Sequence, residues 1–233
     1  MTRSMRPPPP TSKRPSKRPS KPPSTSKRPP HWPRARSSRP PTAIIMRTRR
    51  PLACCIIAID AAKNAGVAVY VCGKLAAHSE IKTDKPLQRL DCLGKALALA
   101  DECRVPTALV IETPSLARAA WKDKTYATAM SLKSSADKWA DSWAQLGQPT
   151  RTVLRYTAGE WRTLLFGKAS MPRELAQKFE QAYALQIILR DLRRAARAVD
   201  VELGTDEAAA ICIGSTLTHS MAIRDALGCG VMP

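Results

Sequence analysis

Carboxylates stand at three points of the chain where chemistry could use them. Asp60 closes the apolar run CCIIAI, Glu112 closes ALVI, and Asp206 with Glu207 opens the apolar segment AAAICIG. Short, partly β-branched apolar runs bounded by turn residues read as buried strands, so Asp60 and Glu112 end core strands. Open α/β sheets carry their sites at the carboxyl ends of strands, and parallel neighbours would set these two acids side by side. Clustered carboxylates repel unless protons or cations lie between them, and their hard oxygens suit Mg2+, with Mn2+ the alternative. Two such ions ~3.5–4 Å apart would activate water and stabilise the leaving oxygen of a phosphodiester. Each acid taken singly has a plainer role: Asp60 as a turn residue, Glu112 as the start of a loop at Thr113-Pro114, Asp206 and Glu207 as partners of a helix dipole. The combination of three acids, their strand order and a basic chain is what points to catalysis.

The charge is unevenly placed. Among 233 residues, Lys and Arg number 38 against 19 Asp and Glu, a formal net charge of +19. Residues 1–52 hold 15 of the basic residues, none of the acids and 14 of the 20 prolines, which leaves 23 basic and 19 acidic residues, or +4, for 53–233. The unit Ser-Lys-Arg-Pro recurs at 12–15, 16–19 and 26–29 among few large apolar residues. Such a segment cannot build a core, so a disordered, extended tail is expected, able to hold phosphates by counterion release without reading sequence. An organelle transit segment, or a true start at Met46, are the alternatives. The basic excess favours a polyanionic partner, most simply nucleic acid, and the reaction that fits acids and partner together is hydrolysis of a nucleic-acid backbone.

The elements that must hold the acids follow from periodicity. Residues 54–60 read as a first strand, 66–72 as a second, and 75–82 as a third after a turn at Gly73-Lys74, making an antiparallel meander. Leu90, Leu93, Leu97, Ala100 and Cys103 recur at helical spacing, and Pro106 ends that helix before a strand at 107–112, which the crossover makes parallel to an earlier one. In a long helical stretch at 116–146, Leu132, Ala136, Trp139, Trp143 and Leu146 form one apolar stripe with the tryptophans as core anchors. Residues 151–156 alternate as a fifth strand, and Thr157 with Glu160 has capping-box spacing before a short helix closed by Gly167. Pro172 starts a helix running to Ala198, and Thr205 caps a last one at 206–224. The order β-β-β-α-β-α-β-α-α-α predicts an α/β domain over 53–233, with a mixed five-stranded sheet flanked by helices, behind the tail at 1–52. The apolar run 53–59 is too short to cross a bilayer. Seven cysteines without a C-x-x-C pair, beside three histidines, read as reduced thiols of an intracellular protein and not as a zinc site.

The succession IIAIDAAKNAGVAVY, ALVIETP, RTVLRYTAGEWRTLLFG and TDEAAAICIG resembles RuvC-type Holliday junction resolvases of the RNase H-like (retroviral-integrase) superfamily, over about residues 54–218. The WRTLLFG block is similar to one in phage-type relatives. The resemblance implies an RNase H-like fold, a homodimer, and a Mg2+-dependent endonuclease that nicks branched DNA to leave 3′-hydroxyl and 5′-phosphate ends. It also implies a cytoplasmic, nucleoid-associated setting in a bacterium or phage-infected cell, with organelle targeting by the tail as the alternative. By motif, Asp60 matches the acid ending the first strand, Glu112 the acid ending the fourth, and Asp206 the first acid of the terminal helix, all three as metal ligands. The family's second acid in that helix falls one turn later, where this chain has Ala209, and Glu207 is the candidate substitute. Ala61-Ala62 replace an early glycine, which is delayed to Gly66, and no aromatic follows Glu112 before Trp121. Arg155, Arg162, Lys168, Arg173 and Lys178 are candidate phosphate contacts or a solvated helix face. Two other functions stay open: the same carboxylates acting on an RNA-DNA hybrid or RNA, or a non-catalytic DNA-binding module that relies on the basic tail.

Overall fold

The computed structural model describes residues 52–116, 123–192 and 203–228. The tail, Trp121, Cys229 and the expected run of a helix to Ala198 lie outside the described residues. Strand β1 (Cys55–Asp60) pairs antiparallel with β2 (Asn64–Val71), which pairs antiparallel with β3 (Lys74–Lys82). The turn between β2 and β3 has both Cys72 (φ 49°) and Gly73 (φ 79°) in the left-handed region, the conformation that matches a tight hairpin to strand twist. Helix α1 (Pro86–Glu102) then crosses over to β4 (Thr107–Glu112), which lies parallel to β1. Helix α2 (Asp123–Gln145) and a 3-10 turn at Thr150–Thr152 lead to β5 (Val153–Tyr156), parallel to β4. Among the described residues these strands form one mixed sheet in the order β3-β2-β1-β4-β5. Helices α3 (Ala158–Phe166), α4 (Arg173–Leu192), α5 (Thr205–Leu217) and α6 (Met221–Leu227) follow.

The period of two along each strand divides the core between the two faces. Cys55, Ile57 and Ile59 of β1 and Leu109 and Ile111 of β4 pack with α1 and α2, where Trp139 and Trp143 are wholly buried. Ile56 and Ala58, with Ala108 and Val110, pack with α3 to α6. Asp60 and Glu112 continue that second series, so both acids belong to the face covered by α4 and α5. Helix α5 lies unusually close to the sheet: a Cβ on Gly66 would stand 1.9 Å from the Asp206 carbonyl oxygen, and one on Gly214 would stand 2.4 Å from the Tyr70 ring. Tyr70 also donates its hydroxyl to the Ile211 carbonyl at 2.8 Å, fixing the middle of the helix. The delayed glycine of the sequence is thus the contact point for the helix that carries Asp206.

Several expectations need correction. Pro86 at the first turn starts α1 earlier than the leucine stripe indicated, which suits proline's fixed φ and missing donor. Cys103 and Leu132 are exposed, whereas Arg89, which breaks the apolar pattern, is buried, with its Nε donating to the Ser142 hydroxyl at 3.0 Å. The last helix is two helices, broken at 218–220, and its first N-cap is Gly204 rather than Thr205. The capping box is as expected: Thr157 and Glu160 exchange hydrogen bonds, and Gly167 closes α3 in the left-handed conformation (φ 70°). Cys55 and Cys212 are buried thiols, but Cys72 is exposed. Among the described residues no helix is long and apolar enough to cross a membrane.

Candidate active site

The parallel register of β1 with β4 runs from Cys55 opposite Thr107 to Ile59 opposite Ile111. The next residues on each strand are Asp60 and Glu112, on neighbouring strands separated by about 4.8 Å and on one face. In the antiparallel direction Asp60 lies opposite Gly66, where the first turn of α5 descends and brings Asp206. The three acids singled out by sequence are therefore brought to one end of the sheet by three different elements.

A fourth acid, Glu180 of α4, joins them. It is 2% exposed and accepts a hydrogen bond from Arg162 Nε at 2.7 Å. Burial, then repulsion by Glu112, Asp206 and Glu180, holds the Asp60 carboxyl well above the usual carboxylate range. Burial pushes Glu112 up to about 7, against the opposing effects of a hydrogen bond from Trp161 and the charge of Arg162. Burial also raises Glu180, against Arg162, and raises Asp206, against its hydrogen bond from Thr205 and the charge of Arg173. Trp161 and Arg162 are consecutive in α3 and serve different acids: Trp161 Nε1 donates to Glu112 Oε2 at 2.7 Å, while Arg162 bonds Glu180.

The other candidates fall elsewhere. Glu207 bonds His78 Nδ1 on β3 at 2.5 Å, so its carboxylate already has a partner away from β4. Arg162 turns inward to Glu180, and Arg155 pairs with Asp137 at 2.8 Å. Lys168, Arg173 and Lys178 are exposed. A groove of about 760 Å³ opens beside Glu112 and Arg162, walled in part by Pro114, Thr157, Glu160 and Met171.

The donor set is made of carboxylate oxygens faced by one inward guanidinium, a composition that fits a hard divalent cation. The acids sit within electrostatic reach of one another. Among the described residues no three His, Cys, Asp or Glu side chains are grouped closely enough to hold a metal ion. Sequence reasoning missed Glu180 and the hydrogen bond from Trp161. A signal for the first existed: Ala176, Glu180, Ala184, Ile187 and Ile188 share the buried stripe of α4, and an acid inside such a stripe demands a partner.

A five-stranded mixed sheet in this order, with a helical layer on each face, is an RNase H-like fold. Of solved structures, that of Thermus thermophilus RuvC is similar at 16% identity, covering 75% of this chain and 96% of the other, with a TM-score of 0.40. The structure of T. thermophilus RuvC in complex with a Holliday junction substrate is similar at 15% identity over 71% and 93%, with a TM-score of 0.42. At those values it is the sheet order and register that define the fold. No protein-family model matches the sequence, and no curated protein matches it.

Proposed function

We propose that the protein is a divalent-metal-dependent endonuclease that cleaves branched DNA, four-way junctions among its substrates, by phosphodiester hydrolysis. The observation that supports this reading is the placement of Asp60, Glu112 and Asp206 at one end of the sheet, where burial raises all three carboxyls. The succession of sequence motifs supports the choice of DNA junctions over other phosphodiesters.

Asp60, Glu112 and Asp206 are the residues that would hold Mg2+ or Mn2+. When bound, such an ion supplies an activated water and stabilises the departing oxygen. Burial raises the carboxyls of both Asp60 and Glu112, the latter to about 7, so a divalent cation would compete with protons there. Trp161 fixes Glu112 Oε2 from the side of α3. The groove beside Glu112 offers room for a backbone, and the exposed Lys168 and Arg173, which flank its lining residues 169–171 in sequence, are the candidates to meet phosphates. The basic tail adds affinity without sequence preference. A homodimer, which would present two such sites to one junction, and a nucleoid-associated setting complete the reading.

The test is the purified full chain on four-way junctions, flaps and RNA-DNA hybrids in Mg2+. The reading expects paired nicks in junctions with 3′-hydroxyl and 5′-phosphate ends. Preferential cutting of hybrids would instead favour an RNase H activity, and binding without cutting would favour a DNA-binding module.

A further inference from the structure

Helix α4 buries Ala176, Glu180, Ala184, Ile187 and Ile188 on its inner side. Its outer side is not the polar face that such packing normally leaves. Leu175, Leu185 and Leu189 are 44%, 38% and 44% exposed, and with the exposed Lys178 and Ala182 they form one row about 21 Å long. Singly exposed leucines are ordinary on a monomer, but Leu175, Ala182, Leu185 and Leu189 recur at spacings of seven, three and four, the seam by which helices pair.

The row is also symmetric about Ala182. Leu175 and Leu189 lie seven residues before and after it, and the acidic Glu174 and basic Arg190 lie eight before and after. Two copies of α4 running antiparallel about an axis at Ala182 would set Leu175 beside the partner's Leu189, Lys178 beside the partner's Gln186, and Glu174 beside the partner's Arg190. Parallel pairing would instead bring like charges together at both ends. Arg190 uses Nε and Nη2 on Asp191 and is still 60% exposed at its side chain, so Nη1 can take a second carboxylate. The small side chain of Ala182 lets the axes approach closely at the crossing. A hollow of about 720 Å³ beside Ala182 and Leu185, walled in part by Gln181, Leu203 and Thr205, gives a leucine of a second copy a place to seat.

We propose that the outer row of α4 is a homodimer face, on which a second copy of this chain lays its own α4 antiparallel about a two-fold axis at Ala182. A two-fold interface requires one self-complementary patch, and the order Glu, Leu, Ala, Leu, Arg along this row is such a patch. Association through α4 gives the homodimer of the reading above a face. It needs neither metal nor DNA, so loss of cleavage would leave it standing.

Sedimentation equilibrium of the full chain, free of nucleic acid, over a concentration series tests this. The wild type should show a monomer-dimer equilibrium. Leu185→Glu, at a solvent-facing position, should weaken association about tenfold or more, with circular dichroism melting to check that the fold is intact. Glu174→Arg would face the partner's Arg190 with like charge and should also weaken it, more at low salt than at high. Ala182→Cys gives a second readout. With oxidised glutathione it should form a disulfide dimer through position 182 itself, to an extent that neither the wild type nor Lys95→Cys on the exposed side of α1 reaches. A wild type that stays monomeric throughout would overturn the proposal and leave the row to a partner of another kind. A dimer that Leu185→Glu and Glu174→Arg leave unchanged, with no cross-link at 182, would overturn it as well.

Discussion

Glu112 accepts a hydrogen bond from Trp161, yet its carboxyl stands at about 7, because burial outweighs that bond and the nearby guanidinium. The consequence for stability has a definite sign. A carboxyl raised from 4.5 to about 7 by folding contributes stability that is full below 4.5 and is lost as pH rises through 7. Asp60, raised by burial and then by the neighbouring acids, contributes a loss of the same sign. In a chelator, the melting temperature of the full chain should therefore fall between about pH 5 and pH 8, and Mg2+ should restore more of it at the higher pH. A flat profile with no Mg2+ response would contradict this. Trp161→Phe removes the donor to Glu112 and leaves a gap in the core. Denaturant unfolding should show a loss of about 1–3 kcal/mol. Asp60, Glu112 and Asp206 were legible in the sequence because each sits at an element boundary next to an apolar run. Glu180 was missed although Ala176, Ala184, Ile187 and Ile188 mark its stripe, because the Gln, Lys and Glu around it read as a solvated face.

At the scale of elements, the close approach of α5 to β2 sets the position of Asp206. Gly66→Ala would drive a methyl into the Asp206 backbone. Overpacking of this kind costs about 1–3 kcal/mol or more. Since the helix start must shift, cleavage should fall more than urea unfolding alone accounts for. Gly94→Ala in α1 is the control, because nothing lies within 4 Å of the added methyl and alanine favours a helix; it should leave activity unchanged and add about 0.5–1 kcal/mol. The strands, the crossover and the capping box were readable, since apolar period, proline and glycine positions are local signals. The break at 218–220 was not, because no proline marks it and the apolar pattern runs on through Ile223. The depth of α1 was misread for a different reason: buried Arg89 is satisfied by Ser142 and the Thr83 carbonyl, partners that are distant in sequence.

For the whole molecule, charge and chemistry are divided. Residues 1–52 carry +15 and residues 53–233 only +4, so affinity for DNA should depend strongly on salt and little on sequence. Changing the Lys and Arg of the three Ser-Lys-Arg-Pro units to Gln in the full chain should flatten the slope of log affinity against log salt, while the rate of cutting bound junction stays the same. An unchanged slope would mean that the tail does not touch DNA. The account as a whole stands on Asp60, which ends β1 beside β4 and opposite the start of α5. The most direct measurement is Mg2+-dependent cleavage and binding of a four-way junction by the full chain and by Asp60→Asn. The account predicts that the wild type nicks the junction, and that the variant binds it with similar affinity but does not cut. Cutting by the variant at the wild-type rate would contradict it.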